Sequence, residues 1–340
     1  LYESVPPALY GGTERVVSYL TEELVRQGHD VTLFATGDSV TGAHLVSCAE
    51  QSLRLKPDCI DTFAHHVLLL EKVFQEAHRF DVIHFHIDYL HFPLSRRNRT
   101  PQVTTLHGRL DLPDLVPLYR EFQEMPVVSI SDAQRAPLPW LNWQATVYHG
   151  LPLDLHRFGS GEGRYLAFLG RISPEKRVDR AIEIARRAGM PLKVAAKIDA
   201  VDRKYFDQKI RHLLDDSHVE FVGEINGPAK DALLGNAYAV LCPVDWPEPF
   251  GLVMIEAMAC GTPVIAYRKG SVPEVIDHGL SGFIVDSVEG AVKALERVPR
   301  LSRRGIREVF ENRFSAARMA GDYVEVYRRV GAAQRVLRMA

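Results

Sequence analysis

Two acidic side chains with seven residues between them carry the strongest chemical signal. Glu248 lies in the loop Pro247-Glu248-Pro249-Phe250-Gly251, and Glu256 lies in the apolar run Leu252-Val253-Met254-Ile255-Glu256-Ala257. The spacing is just over two helical turns, so a helix over Leu252 to Ala259 turns Glu256 to the face where the loop sits. A carboxylate among small and apolar residues needs hydrogen-bond donors. A pair of vicinal hydroxyls would supply them, and capping by neighbouring backbone is the other reading. Gly251 leaves the N–H groups at the helix start open to a ligand. A second signal is Gly170-Arg171-Ile172-Ser173-Pro174-Glu175-Lys176-Arg177. Here Arg171 is placed just past a strand and Lys176 in the first turn of a helix over 175–188. A cation there opposes the helix dipole, and a bound anion would remove the conflict. An Arg fork beside a Lys suits a diphosphate; an exposed basic turn paired with Glu175 or Asp179 is the plainer alternative.

Weaker signals accompany these. Tyr10-Gly11-Gly12-Thr13-Glu14 sets two glycines before a helix, where free N–H groups and the dipole favour an anion, although a plain turn looks the same. It is not a GxGxxG fingerprint, so no dinucleotide cofactor is implied. His84-Phe85-His86-Ile87-Asp88 ends a predicted strand and offers alternating ligands, but cleft-lining or core histidines read equally well. Cys48, Cys59, Cys242 and Cys260 show no CxxC pairing, which argues against structural zinc and fits a reducing compartment.

The elements that must position these residues alternate. Thr13 to Gln27 reads as an amphipathic helix with Thr13 as N-cap and Gly28 beyond its C-terminus. Strands are predicted over 29–36, 81–86, 102–107, 127–131 and 145–148, with a helix over 63–78. After the Gly-rich stretch 159–163, strands are predicted over 165–169, 192–196, 219–222, 239–242 and 264–267. Helices separate them at 175–188, 228–237 and 252–259. Strand and helix in alternation imply α/β domains with parallel sheets covered on both faces, and ligands off the carboxyl ends of the strands. The chain starts at Leu1 without a signal pattern and reaches a helix before any strand, so a first strand is expected to be missing or trimmed away. The 340 residues suit two domains, and 46% hydrophobic with 25% charged residues is an ordinary globular balance. With 41 basic and 43 acidic side chains no general nucleic-acid binder is expected, and no apolar run is long enough to span a membrane.

In order along the chain stand Gly11-Gly12, Thr105-Leu106-His107-Gly108, Ser129-Ile130-Ser131, His149-Gly150, Gly170-Arg171 with Lys176, the two spaced glutamates, and Gly270-Ser271-Val272-Pro273-Glu274. This ordered set resembles glycosyltransferase family 4, whose members are retaining enzymes of GT-B fold that use nucleotide-sugar donors. The resemblance implies two Rossmann-like, doubly wound domains facing across a cleft. Residues 1–158 would form the acceptor-side domain, 159–315 the donor domain, and 316–340 a helix packing back on the first.

By the same resemblance, Arg171 and Lys176 would bind the donor diphosphate and stabilise it as leaving group. Glu248 would contact the donor-sugar hydroxyls, Glu256 the ribose hydroxyls, and His107 the transferred sugar. Phe250, Gly251 and Leu252 would approach sugar and phosphate through their backbone, with Gly11 and Gly12 near the diphosphate. Val222 and Lys197 match the base-binding walls more loosely, and His86 and Asp88 are expected on the acceptor side. His149 stands where Asn is commoner in the family, and no role is assigned to it. No cofactor or metal is expected.

The expected activity is transfer of a hexose, from a UDP-sugar by preference, to a hydroxyl acceptor that is a small molecule, a glycan or a lipid-linked sugar. A nucleotide-sugar 2-epimerase or hydrolase, or a non-catalytic nucleotide-sugar binder, are the alternatives. A cytoplasmic location is expected. Peripheral contact with the inner membrane face is a further expectation, from Arg96, Arg97, Arg99, Arg328, Arg329, Arg335 and Arg338; solvated helix faces are the competing reading.

Overall fold

The computed structural model describes residues 1–8 and 11–339, and of 334–339 the helical backbone alone. Tyr10 of the glycine loop and the side chains of Arg335 and Arg338 therefore lie outside the described residues. The chain forms two compact units, one of residues Leu1–Gly150 with the segment from Ala316 onward, the other Leu151–Ser315. The second unit thus opens ahead of the Gly-rich stretch, where the Leu151 N–H donates to Phe314 O at 2.8 Å.

In the first unit, β1 (Thr32–Thr36) pairs in parallel with β2 (His44–Ala49). A separate parallel sheet holds β3 (Ile83–Phe85), β4 (Gln102–Thr105), β5 (Val127–Ser129) and β6 (Trp143–Thr146) in that order. The long helix Ala316–Met339 belongs to this unit. Its Tyr323 is fully buried, and the Tyr323 hydroxyl meets Thr105 Oγ1 of β4 at 2.9 Å.

The second unit carries one parallel sheet of β7 (Leu166–Arg171), β8 (Leu192–Lys197), β9 (Val219–Gly223), β10 (Ala239–Cys242), β11 (Val264–Tyr267) and β12 (Gly282–Val285). Spatial order is β12-β11-β10-β7-β8-β9. From β7 the chain steps outward through β8 to β9, then returns to the other side of β7 with β10. Strand order therefore reverses between β7 and β10, and the crevice at the carboxyl ends of those two strands is where doubly wound sheets place ligands. Leu166, Val194, Val240 and Val264 are fully buried, as parallel strands covered on both faces require. At roughly 1.5–3 kcal/mol for each such side chain, this core sets the strand ends firmly in place.

Both units are α/β with parallel sheets, as expected. Three local expectations differ. The first helix is Gly12–Arg26 with Gly11 at the cap, so Thr13 is inside it. The helix expected from Glu175 begins at Val178, because Arg177 takes a left-handed conformation (φ 54°) at the cap position. Lys176 consequently lies ahead of that helix, and the conflict with its dipole does not arise. The strands β2 and β12 were not anticipated.

Candidate active site

Everything that follows β7 and β10 converges. Lys176, in the turn after β7, ion-pairs with Glu248 from the loop after β10. Trp246 Nε1 donates to the same Glu248 oxygen at 2.8 Å, and the Lys176 ammonium lies 5.3 Å from the Trp246 ring centre. The two turns are laced by Asp245: its N–H donates to Glu175 O at 2.8 Å, and its carboxylate accepts from Arg177 at 2.9 Å and Arg180 at 2.8 Å. Gly270 has φ 53°, and a Cβ there would come within 2.3 Å of Glu248 O, so only glycine lets this backbone approach. Ser271 N–H then donates to Glu248 O at 2.9 Å. Glu248 is thus held at its backbone from one side and at its carboxylate from the other.

Arg171 closes β7 and stands in register with Lys197, the last residue of β8. Its guanidinium ion-pairs with Glu175, with Asp202 at 3.3 Å and with Asp199 at 3.8 Å. Lys197 pairs with Asp199 at 2.7 Å. Burial pushes the Asp202 carboxyl up, an effect that Arg171 partly offsets. Burial also acts on Glu175, but hydrogen bonds from its own backbone N–H, Arg171 and Ser173 hold it below the usual range.

Glu256 is 6% exposed and accepts from Lys230 Nζ at 2.8 Å, itself only 9% exposed, so its donor is a lysine from the helix Gly227–Asn236. Sequence reasoning missed this residue. The signal was present: Lys230, Leu233 and Leu234 share the buried face of that helix at spacings of three and four. Next to it, Asp231 accepts from His156 Nδ1 at 2.6 Å and anchors the same helix.

Gly251 caps the Leu252–Ala259 helix at φ 82°, with Leu252 as first residue and Phe250 buried just before. Lys176 and Glu248 also line a pocket of about 30 Å³ whose other walls include Phe168, Leu241, Cys242 and Met254. Burial drives the Cys242 thiol up to about 12, which leaves it an inert neighbour. Val222 lies on the edge strand β9, more than a third exposed, away from this convergence of loops.

The first unit gathers histidines. His86 Nδ1 and His107 Nε2 are 2.9 Å apart, and His149, which sequence reasoning left without a role, stacks on His107 at 5.4 Å between ring centres. His84 bridges Tyr327 Oη at 2.8 Å and Thr105 Oγ1 at 2.7 Å. Burial lowers His107 to about 4 and His84 to about 3, and takes His86 well below its ordinary value. All three are neutral at pH 7. Asp88 takes a left-handed φ of 51°; burial raises its carboxyl against a hydrogen bond from the His107 backbone N–H. Gly11 and Gly12 open the first helix of this unit.

Among the described residues, His156, Asp231 and Cys260 bring potential metal ligands within 4.8 Å of one another. Burial pushes the Cys260 thiol up to about 12 against the opposing pull of Arg303 and Arg307, so the thiolate a metal needs is disfavoured there. Of the surface arginines, Arg96 pairs with Glu121 and Glu124, Arg97 donates to the Pro93 carbonyl, Arg328 pairs with Glu325, and Arg329 donates to the Gln144 carbonyl. No helix among the described residues is long and apolar enough to cross a membrane.

Residues 157–312 match the family described as Glycosyl transferases group 1, and residues 10–153 match Glycosyltransferase Family 4. An uncharacterised glycosyltransferase of Methanocaldococcus jannaschii is 24% identical over 95% of each chain. The crystal structure of AviGT4, a glycosyltransferase of avilamycin A biosynthesis, superposes with TM-score 0.73 at 25% identity, covering 97% of this chain and 93% of that one. HepE of Anabaena, solved with UDP and glucose, gives TM-score 0.72 at 20% identity over 94% and 96%.

Proposed function

The chain belongs to glycosyltransferase family 4, and on that premise we propose that it moves a hexose from a UDP-sugar to a hydroxyl acceptor with retention of anomeric configuration. Transfer from a nucleotide sugar is the family's chemistry; the donor's base and sugar and the residue roles are our reading. The observation that carries it is the convergence where the sheet order reverses: Arg171 closes β7, and Lys176 in the turn after it pairs with Glu248 from the loop after β10. Cleavage of the anomeric C–O bond builds negative charge on the departing diphosphate, and fixed cations there gain most as that charge develops. The acceptor oxygen attacks from the same face, and its proton passes to the leaving phosphate oxygen. Glu248, held by Lys176 and Trp246, is suited to binding sugar hydroxyls rather than to attack. His107, Gly11 and Gly12 keep the donor contacts that the family implies, His86 and Asp88 their acceptor-side roles, and Phe250, Gly251 and Leu252 their backbone contacts. The base would rest by Val222 and Lys197. UDP is preferred because HepE, of the same fold, was solved with it.

A thermal-shift screen of UDP, GDP, ADP and their sugars tests the donor. UDP and a UDP-hexose should raise the melting temperature most, since ligands of the folded state stabilise it by mass action. Absence of any nucleotide effect would refute the reading. Donor incubated alone should stay intact; free sugar or epimer formed at the rate of turnover would favour the epimerase or hydrolase reading instead.

Glu256 can aim at ribose hydroxyls only if Lys230 holds it in place. Lys230→Met should weaken UDP binding about tenfold and erase the preference for UDP over 2′-deoxy-UDP, while Lys230→Arg keeps most of both. Calorimetric titration of the two nucleotides reads this directly. An unchanged preference in the Met variant would remove Lys230 from the site.

A further inference from the structure

The proposed diphosphate cations of the second unit, Arg171 and Lys176, and the neighbouring Lys197 of the proposed base wall are each matched by carboxylates. Arg171 is shared among Glu175, Asp199 and Asp202; Lys197 is taken by Asp199, and Lys176 by Glu248. A site built for the tightest grip on a diphosphate would keep carboxylates away from its guanidinium, because like charges a few ångströms apart repel. Here the acids come from two separate segments, Glu175 before the Val178–Ala188 helix and Asp199 with Asp202 after β8. Their convergence on one arginine therefore depends on the fold, not on sequence proximity. Asp202 is 9% exposed, so its charge is poorly screened, and its position beside Arg171 is supported by the surrounding core.

Resting on the reading that Arg171 meets a diphosphate, we propose that Asp199 and Asp202 are counter-charges that compete with the bound diphosphate for Arg171 and so speed its release as product. Binding of the nucleotide is then an exchange of ion-pair partners rather than an addition. Each aspartate charge weakens the hold of Arg171 on a diphosphate, and most on the free diphosphate product, which carries the greater negative charge. As that product leaves, the two aspartates reclaim the guanidinium. No bond is made or broken by either aspartate; they are positioning residues, acting through Arg171.

The test is a gain of affinity, which structural damage does not produce. Wild type, Asp199→Asn and Asp202→Asn are titrated calorimetrically with UDP, GDP and inorganic pyrophosphate at two salt concentrations. Asn keeps the shape and drops the charge. The expected result is tighter binding of the diphosphate in both variants, by roughly three- to tenfold for each charge removed, with the larger gain at low salt. Product inhibition should strengthen in step, and kcat should not rise. Asp199 is partly exposed, so its variant keeps the test open should the buried Asp202 variant fold poorly. Unchanged or weaker binding in a folded Asp199→Asn protein overturns the proposal while leaving the transferase reading intact. If wild type binds none of the three probes, the diphosphate reading and this inference fall together.

Discussion

Arg171→Ala should lower kcat by about a thousandfold while changing the apparent affinity for donor only a few-fold. The asymmetry follows from the partners of the guanidinium. Arg171 is engaged by Glu175, Asp199 and Asp202, so its net attraction for ground-state phosphate is small. Charge appears on the leaving oxygen only as the anomeric bond lengthens, and a prepositioned fork answers it without reorganisation. Loss of one such donor commonly removes about 3–4 kcal/mol of transition-state stabilisation, and a cation on a transferring phosphate is worth as much or more. Arg171→Lys should recover only part, because an ammonium lacks the paired N–H geometry. Steady-state kinetics at saturating acceptor decide the matter. A loss confined to KM, with kcat intact, would show that Arg171 serves uniform binding and would contradict its leaving-group role.

The chemistry-bearing residues were legible in the sequence where local geometry determines them. The spacing of Glu248 and Glu256, the glycine between them and the strands before Arg171 and Lys197 placed four side chains on the correct loops and elements. What stayed hidden depends on non-local contacts. Lys230 meets Glu256 across two helices, and nothing in its own neighbourhood names that partner. Asp199 and Asp202 look like ordinary loop acids until β8 lies beside β7 and brings them to Arg171. The early helix start expected at Glu175 failed because Arg177 takes a left-handed conformation that propensity disfavours; Asp179 and Asp245 hold its guanidinium there. The β2 segment His-Leu-Val-Ser-Cys-Ala lacks clean alternation, and β12 is four residues opening on a glycine, so neither period was visible. His149 differs again: its stack on His107 joins two loops of the first unit that the sequence alone does not bring together.

That histidine cluster sets the second large effect, a loss of stability in mild acid. His84 and His91 are each lowered to about 3 and His107 to about 4, all chiefly by burial. At His84 the neighbouring His107 and His91 add to the effect of burial. His84 lies against His86, Tyr323 and Tyr327, His91 between Ser95 and Thr104, and His107 against His86, His149 and the Asp88 carboxyl. A histidine whose folded pKa is depressed binds its proton more readily when unfolded. The stability tied to it is therefore complete above pH 6.5 and falls as pH drops toward the folded value. Close to the unfolded pKa each group contributes about 1 kcal/mol over that window, so these three remove roughly 3 kcal/mol between pH 6.5 and 5.5, and His86 and His149, also lowered by burial, add to the loss. Asp88 acts in the opposite sense, since its raised carboxyl takes up a proton sooner when folded, and it offsets part of the loss. Against a typical total of about 5–15 kcal/mol the remainder is decisive. Melting curves should fall steeply from pH 6.5 to 5.5, and proteolysis at pH 5.5 should cut the first unit, which holds all three histidines, before the second. His91→Asn, which keeps a hydrogen-bonding side chain between Ser95 and Thr104 without a titrating ring, should lessen the slope by about a fifth. A melting temperature level across that range, or a slope unchanged in the variant, would mean that these rings reach protons and water without unfolding.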